Sequence, residues 1–153
     1  MPLEISEDPP FERLAREVRR LFHQLRASAE RLHGDVLMTA AHRAILESLY
    51  RDGPQTVPAL ARARPVSRQH VQVLANRLLE TKLVEATANP ANKRSPFLAL
   101  TDAGRKLFES MRRREHRALA VGKLPISERE LLAAAKTLRE LRQFLAATFP
   151  SPD

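Results

Sequence analysis

The chain contains no cysteine, and only 4 of its 153 residues are glycine. The missing thiol excludes disulfides, thiolate nucleophiles, cysteine-based zinc sites and cysteine redox switching. With so little glycine, and apolar residues that are mostly Leu and Ala, helix should dominate. No stretch approaches the run of about 18 consecutive apolar residues that a membrane-spanning helix needs. The opening segment MPLEISEDPP is acidic and proline-rich and lacks the apolar core of a signal peptide. These absences lead us to expect a cytoplasmic protein with no membrane partner. Also missing are a glycine-rich phosphate loop, an HExxH pair, a Ser-His-Asp spacing and clustered carboxylates. Neither an enzyme nor a bound cofactor is expected.

What the chain does have is positive charge, a formal net of +8 at pH 7. Such a balance suits a polyanionic partner, either nucleic acid or an anionic membrane surface. Hydropathy periodicity then sets the order of elements. Residues 1–10 read as a flexible lead, because Pro9-Pro10 blocks helix before Phe11. From Phe11 to His33, Leu14, Val18, Leu21, Leu25 and Leu32 share one helix face, and Gly34 is a suitable stop. Thr39 caps a second helix that ends at Gly53-Pro54. A short helix follows Thr56, with Pro58 at a permitted early position. Ser67 caps a longer helix with Val71, Leu74, Ala75 and Leu78 inward, ending near Lys82. Val84–Ala88 and Phe97–Leu100 read as strands of a hairpin around the turn-rich stretch from Asn89 to Pro96. Thr101 caps a further helix, and Ser127 with Glu130 forms a capping box for the last one, which runs to Phe149.

The result is a mainly α chain with a small β-hairpin wing: two helices, a helix-turn-helix, a hairpin, then two helices. The wide apolar faces of the first and last helices exceed what a small domain covers alone and mark an oligomer interface. The organisation expected is a lead (1–10), a dimerisation helix and connection (11–38), a winged DNA-binding region (39–100), C-terminal dimerisation helices (101–149) and a tail (150–153).

Function should reside in the helix opened by Ser67. In a helix-turn-helix the second helix enters the major groove, so it needs an apolar inner face and long polar side chains outside. The outer positions here are Arg68, Gln69, Gln72 and Asn76. Gln and Asn bond adenine bidentately and Arg does the same with guanine, while Ser67 sits at a helix N-terminus that favours phosphate. A solvated surface helix would explain polarity alone, but it would normally mix signs, and no acid occurs from Arg62 to Leu79. The hairpin tip adds Lys93 and Arg94, suited to the narrow minor groove. Residues 56–100 carry seven Lys or Arg (Arg62, Arg64, Arg68, Arg77, Lys82, Lys93, Arg94) against two Glu.

The run from Thr56 to Thr101 resembles the winged helix-turn-helix of MarR-type (multiple-antibiotic-resistance) regulators. The features that carry the likeness are VSR at the head of the recognition helix, RLLETKLVE, and NPANKRSPFLALTDAG with its LT-x-x-G element at Leu100, Thr101 and Gly104. The flanking helices fit in order and length, from Phe11 to Phe149. The resemblance implies a homodimer formed by the first and last two helices, acting as a repressor on double-stranded DNA with a pseudo-palindromic operator. It gives Ser67, Arg68, Gln69 and Gln72 base or phosphate roles and Arg94 the wing-tip role. It also implies a small anionic or phenolic effector, with candidate walls at His23, Arg26, His42, Ile45 and Met111. Three positions depart from the pattern. Asn92-Lys93 replaces an acid followed by Arg, which implies a looser wing. Lys82 stands where Gly commonly ends the recognition helix, and Pro65 stiffens the turn. The alternatives are a metal site from His42, His116 and a nearby Glu, a membrane surface at Arg112-Arg113-Arg114, and a winged helix that binds another protein instead of DNA.

Overall fold

The computed structural model describes residues 9–36 and 38–150. The elements are α1 (Pro10–Leu32), α2 (Ala40–Asp52), β1 (Gln55–Thr56), α3 (Val57–Ala63), α4 (Arg68–Glu80), β2 (Val84–Thr87), β3 (Phe97–Leu100), α5 (Asp102–Gly122) and α6 (Glu128–Thr148). The lead and tail expected at the two ends lie largely outside the described residues. Helix begins at Pro10 itself, one residue earlier than the proline pair suggested. Proline needs no N–H at the first helical position, so it opens a helix as readily as it blocks one.

The chain divides into two compact units, one up to Ala40 and one from Ala41 on. The first consists mainly of α1, which buries none of its residues. Leu21, Phe22 and Leu25 on its apolar face are 53%, 63% and 60% exposed.

In the second unit the apolar positions of α2, α3, α4 and α5 converge. Ile45 and Leu46 from α2, Leu60 from α3, Val71, Ala75 and Leu78 from α4, and Phe108 from α5 are all essentially inaccessible. The side-chain caps follow the sequence. Thr56 Oγ1 accepts the N–H of Ala59, Ser67 Oγ that of His70, and Thr101 Oγ1 that of Gly104. At α6, Ser127 and Glu130 each accept the other's backbone N–H. Hydrogen bonding to Ser127 holds the Glu130 carboxyl below its ordinary range. No helix among the described residues is long and apolar enough to cross a membrane.

The sheet holds three strands in the order β1-β3-β2, both pairs antiparallel, not the two of a simple hairpin. The extra strand, Gln55–Thr56, pairs with Phe97–Leu98. Two residues show no periodicity, so a strand that short exists only because β3 presents an edge to it. This pairing ties the start of α3 to the base of the wing.

Two backbone details anchor the wing to α4. Leu83 donates its N–H to Leu78 and Lys82 to Leu79, the double closure of a Schellman motif, with Lys82 left-handed at φ +57°. Beside it, Thr101 Oγ1 donates to the Lys82 carbonyl at 2.7 Å. A side chain at Gly104 would sit 1.9 Å from the Leu83 carbonyl oxygen. The glycine of the LT-x-x-G element is thus set by the close approach of α5 to the turn between α4 and β2.

Candidate nucleic-acid interface

Helix α4 is positioned by its buried face. Val71, Ala75 and Leu78 are 1%, 0% and 1% exposed, and Leu74 is half-buried. At 100° per residue, that leaves Gln69, Gln72, Val73 and Asn76 facing outward, and these four and Arg68 in the first turn are exposed. Gln72 Nε2 donates to Asn76 Oδ1 at 2.8 Å. This bond orders two long side chains and leaves donors and acceptors on both. The hydroxyl of Ser67 caps the helix as an acceptor, so its own O–H remains a donor at the helix N-terminus.

The tip between β2 and β3 is braced, contrary to the looser wing expected from Asn92-Lys93. Asn89, only 9% exposed, donates through Nδ2 to the Ser95 carbonyl at 2.8 Å and accepts the Ala91 N–H. Asn92 Oδ1 accepts the N–H of Arg94 at 3.1 Å. Amides thus close a turn that holds no acid. The signal for Asn89 and Asn92 lay in the Asn-Pro and Asn-Lys dipeptides, since Asn side chains bond the backbone two residues on.

Between α4 and this tip lies a cleft of about 340 Å³. Arg68, Gln69 and Gln72 line it from the helix, Arg94 and Pro96 from the wing, and Pro58 from α3, with no carboxylate on its walls. The fold therefore brings Arg68, Gln69, Gln72 and Arg94 together, with Asn76 linked to them through Gln72. Lys93 is exposed on the tip and does not line the cleft.

Arg64, counted with the basic residues, belongs to the support. Its Nη2 donates to the Ala44 carbonyl of α2 and to Ser48 Oγ, and burial pulls its pKa down. Charge counting cannot separate such an arginine from an exposed one. A second arginine fastens α2 to α5: Arg43 holds Glu115 bidentately at 2.8 and 2.6 Å, with Glu47 at 3.2 Å. The Arg112 guanidinium lies 5.6 Å over the Tyr50 ring, so one member of the triple-arginine run packs on an aromatic.

Of the residues expected to wall an effector site, His42, Ile45 and Met111 lie in the second unit and His23 and Arg26 in the first. Ile45 and Met111 are 1% and 3% exposed, core residues committed to packing. His42 lies on α2, where burial and Arg77 hold its imidazole below the ordinary value. His23 and Arg26 lie on α1, with His23 edge-on to Phe22 and Arg26 paired to Glu30 at 3.2 Å. Among the described residues no three His, Asp or Glu side chains group as metal ligands, His42 and His116 included.

Comparison with known proteins agrees with this architecture. The model of the MarR family matches residues 38–95. An uncharacterised protein of Mycobacterium tuberculosis is 33% identical over 135 residues, covering 88% of this chain and 92% of that one. The chain belongs to the MarR family. The crystal structure of a MarR family transcription regulator is 28% identical, with TM-score 0.72, covering 90% of this chain and 91% of its own. A putative MarR family regulator from Listeria monocytogenes, solved in complex with 26mer DNA, shares the fold at 16% identity and TM-score 0.76, covering 88% and 89%. As a MarR-family winged helix, the chain has the architecture of DNA-binding transcription regulators.

Proposed function

We propose that this protein is a sequence-specific transcriptional repressor that acts as a homodimer on a pseudo-palindromic operator. One observation carries the reading: Arg68, Gln69, Gln72 and Arg94 line a single cleft without a carboxylate, at the exposed face of the recognition helix. Phosphate contacts from Arg94, Lys93 and the Ser67 helix end supply affinity. Gln69, Gln72 and Asn76 supply sequence choice through base edges. The exposed apolar faces of α1 and α6 supply the dimer contact. A two-fold dimer on two-fold DNA sets the half-sites about 10 base pairs apart. The DNA-bound Listeria regulator supports this reading.

Regulation follows from the same geometry. A small anionic or phenolic effector that binds only one spacing of the two recognition helices shifts the dimer toward that spacing. His23, Arg26 and His42 remain its candidate contacts.

The test is a salt series of fluorescence-anisotropy titrations on the intergenic duplex beside the protein's own gene and on a scrambled duplex. Arg94→Ala should weaken both and flatten the salt slope. Gln72→Ala should cost about 1–3 kcal/mol on the specific duplex and little on the scrambled one. Absence of binding at low salt would sink the proposal and favour a protein-binding winged helix.

A further inference from the structure

Between Ala41 and Ala118 the second unit hides its large apolar side chains with two exceptions. Among the described residues from Ala40 to Ala118, the only exposed large hydrophobics are Val66 and Val73. All the others lie on α1 or from Leu119 onward. Val66 lies in the turn before α4, where its N–H closes the chain onto the Ala61 carbonyl. Val73 has no such duty and is 62% exposed.

Its position on α4 is specific. Val73 stands four residues after Gln69 and three before Asn76, so the three form one stripe. That stripe lies opposite the buried Val71, Ala75 and Leu78. Nothing in the isolated chain favours a valine there. A β-branched residue is a poorer helix former than Ala, Gln or Arg, and an aliphatic side chain in water gains nothing. The stripe spans seven residue steps, about 10 Å at 1.5 Å per step, comparable to three base-pair steps. The surrounding surface, acid-free from Arg62 to Leu79, suits the approach of phosphates.

The major groove carries one apolar mark, the C5 methyl group of thymine. We propose that Val73 is a specificity-determining residue that packs its methyl groups on a thymine methyl in each half-site, between positions read by Gln69 and Asn76. This rests on the DNA-binding reading above and adds to it a class of base that the amides do not read. Amides at either end select adenine, and the valine between them selects thymine by shape and dehydration.

Deoxyuridine, which lacks only that methyl group, provides the test. The full-length protein selects duplexes from a random library. Each thymine of the selected duplex is then replaced in turn by deoxyuridine, and Kd is measured by anisotropy for wild type and Val73→Ala. At one thymine per half-site the replacement should weaken wild type by about fourfold, the worth of one buried methyl-sized group. At that position Val73→Ala should show a similar loss with thymine and no further loss with deoxyuridine. Alanine is the better helix former, so an unchanged or raised thermal midpoint shows the variant folded. If no thymine is sensitive, or the sensitivity persists in Val73→Ala, Val73 is not the reader and DNA binding stands. If the library yields no preferred sequence, the operator reading itself fails and this inference with it.

Discussion

Two regions of this chain treat the same residue types in opposite ways. Every buried hydrophobic residue among those described falls between Ile45 and Met111. The terminal helices α1 and α6 bury none, although they carry Leu21, Phe22, Leu25, Leu132 and Phe144. In the middle, short helices cross at close range and each covers its neighbour's apolar stripe. At the ends, two helices of more than twenty residues carry apolar stripes whose members, Leu21, Phe22 and Leu25 on α1 and Leu132 and Phe144 on α6, are exposed. An amphipathic pattern states that a face will be buried, and leaves open by what. A region that closes its own core can hold α4 and the wing rigidly, whereas one that does not is the face to which the proposal assigns the second copy.

Removing a core side chain should have the largest effect. Phe108 is fully buried, with the Tyr50 ring centroid 5.0 Å away and the Arg43 guanidinium 5.5 Å over its face. Phe108→Ala should cost about 3–5 kcal/mol in urea denaturation. A loss below about 1 kcal/mol would mean that the middle region does not carry its own core. Next comes the terminal face. Leu21→Glu combined with Leu25→Glu puts charge into the exposed stripe of α1, where burial of each leucine is worth about 1.5–3 kcal/mol. Sedimentation equilibrium should show the dimer weakened at least about a hundredfold, while circular dichroism stays helical. An unchanged dimer would remove α1 from the interface. The smallest effect is a gain at the joint between α4 and the wing. Lys82 is left-handed at the end of α4, so Lys82→Gly should raise stability by about 1 kcal/mol. A loss instead would show that the lysine side chain does more there than occupy a strained backbone.

Much of the fold could be read before any coordinates. Thr56, Ser67, Thr101 and Ser127 each cap the helix they precede, because capping depends on a hydroxyl and an N–H three residues away. The inner face of α4 was likewise legible from steps of three and four. Less of the candidate site was. Its residues could be named from their chemistry, but the cleft joining Arg94 to Gln69 and Gln72 brings together segments some twenty residues apart. The bracing of the wing by Asn89 and Asn92 depends on which carbonyls the turn turns inward. Ile45 and Met111 could likewise be named from their chemistry, but their place at the centre of the core is decided by packing.

Local features were decided by the sequence alone: the helices, their caps, the acid-free stretch from Arg62 to Leu79, and the surplus apolar faces. Their energies come from residues within about one turn of each other, so spacing is sufficient information. The long-range partners were decided by the tertiary structure. It sent Arg64 to support α2, gave Arg43 to Glu115, made a strand of Gln55–Thr56, and set Gly104 under the Leu83 carbonyl. Those partners lie between 16 and 72 positions apart, where no periodicity reaches, and only the closing of the core fixes which side chains meet.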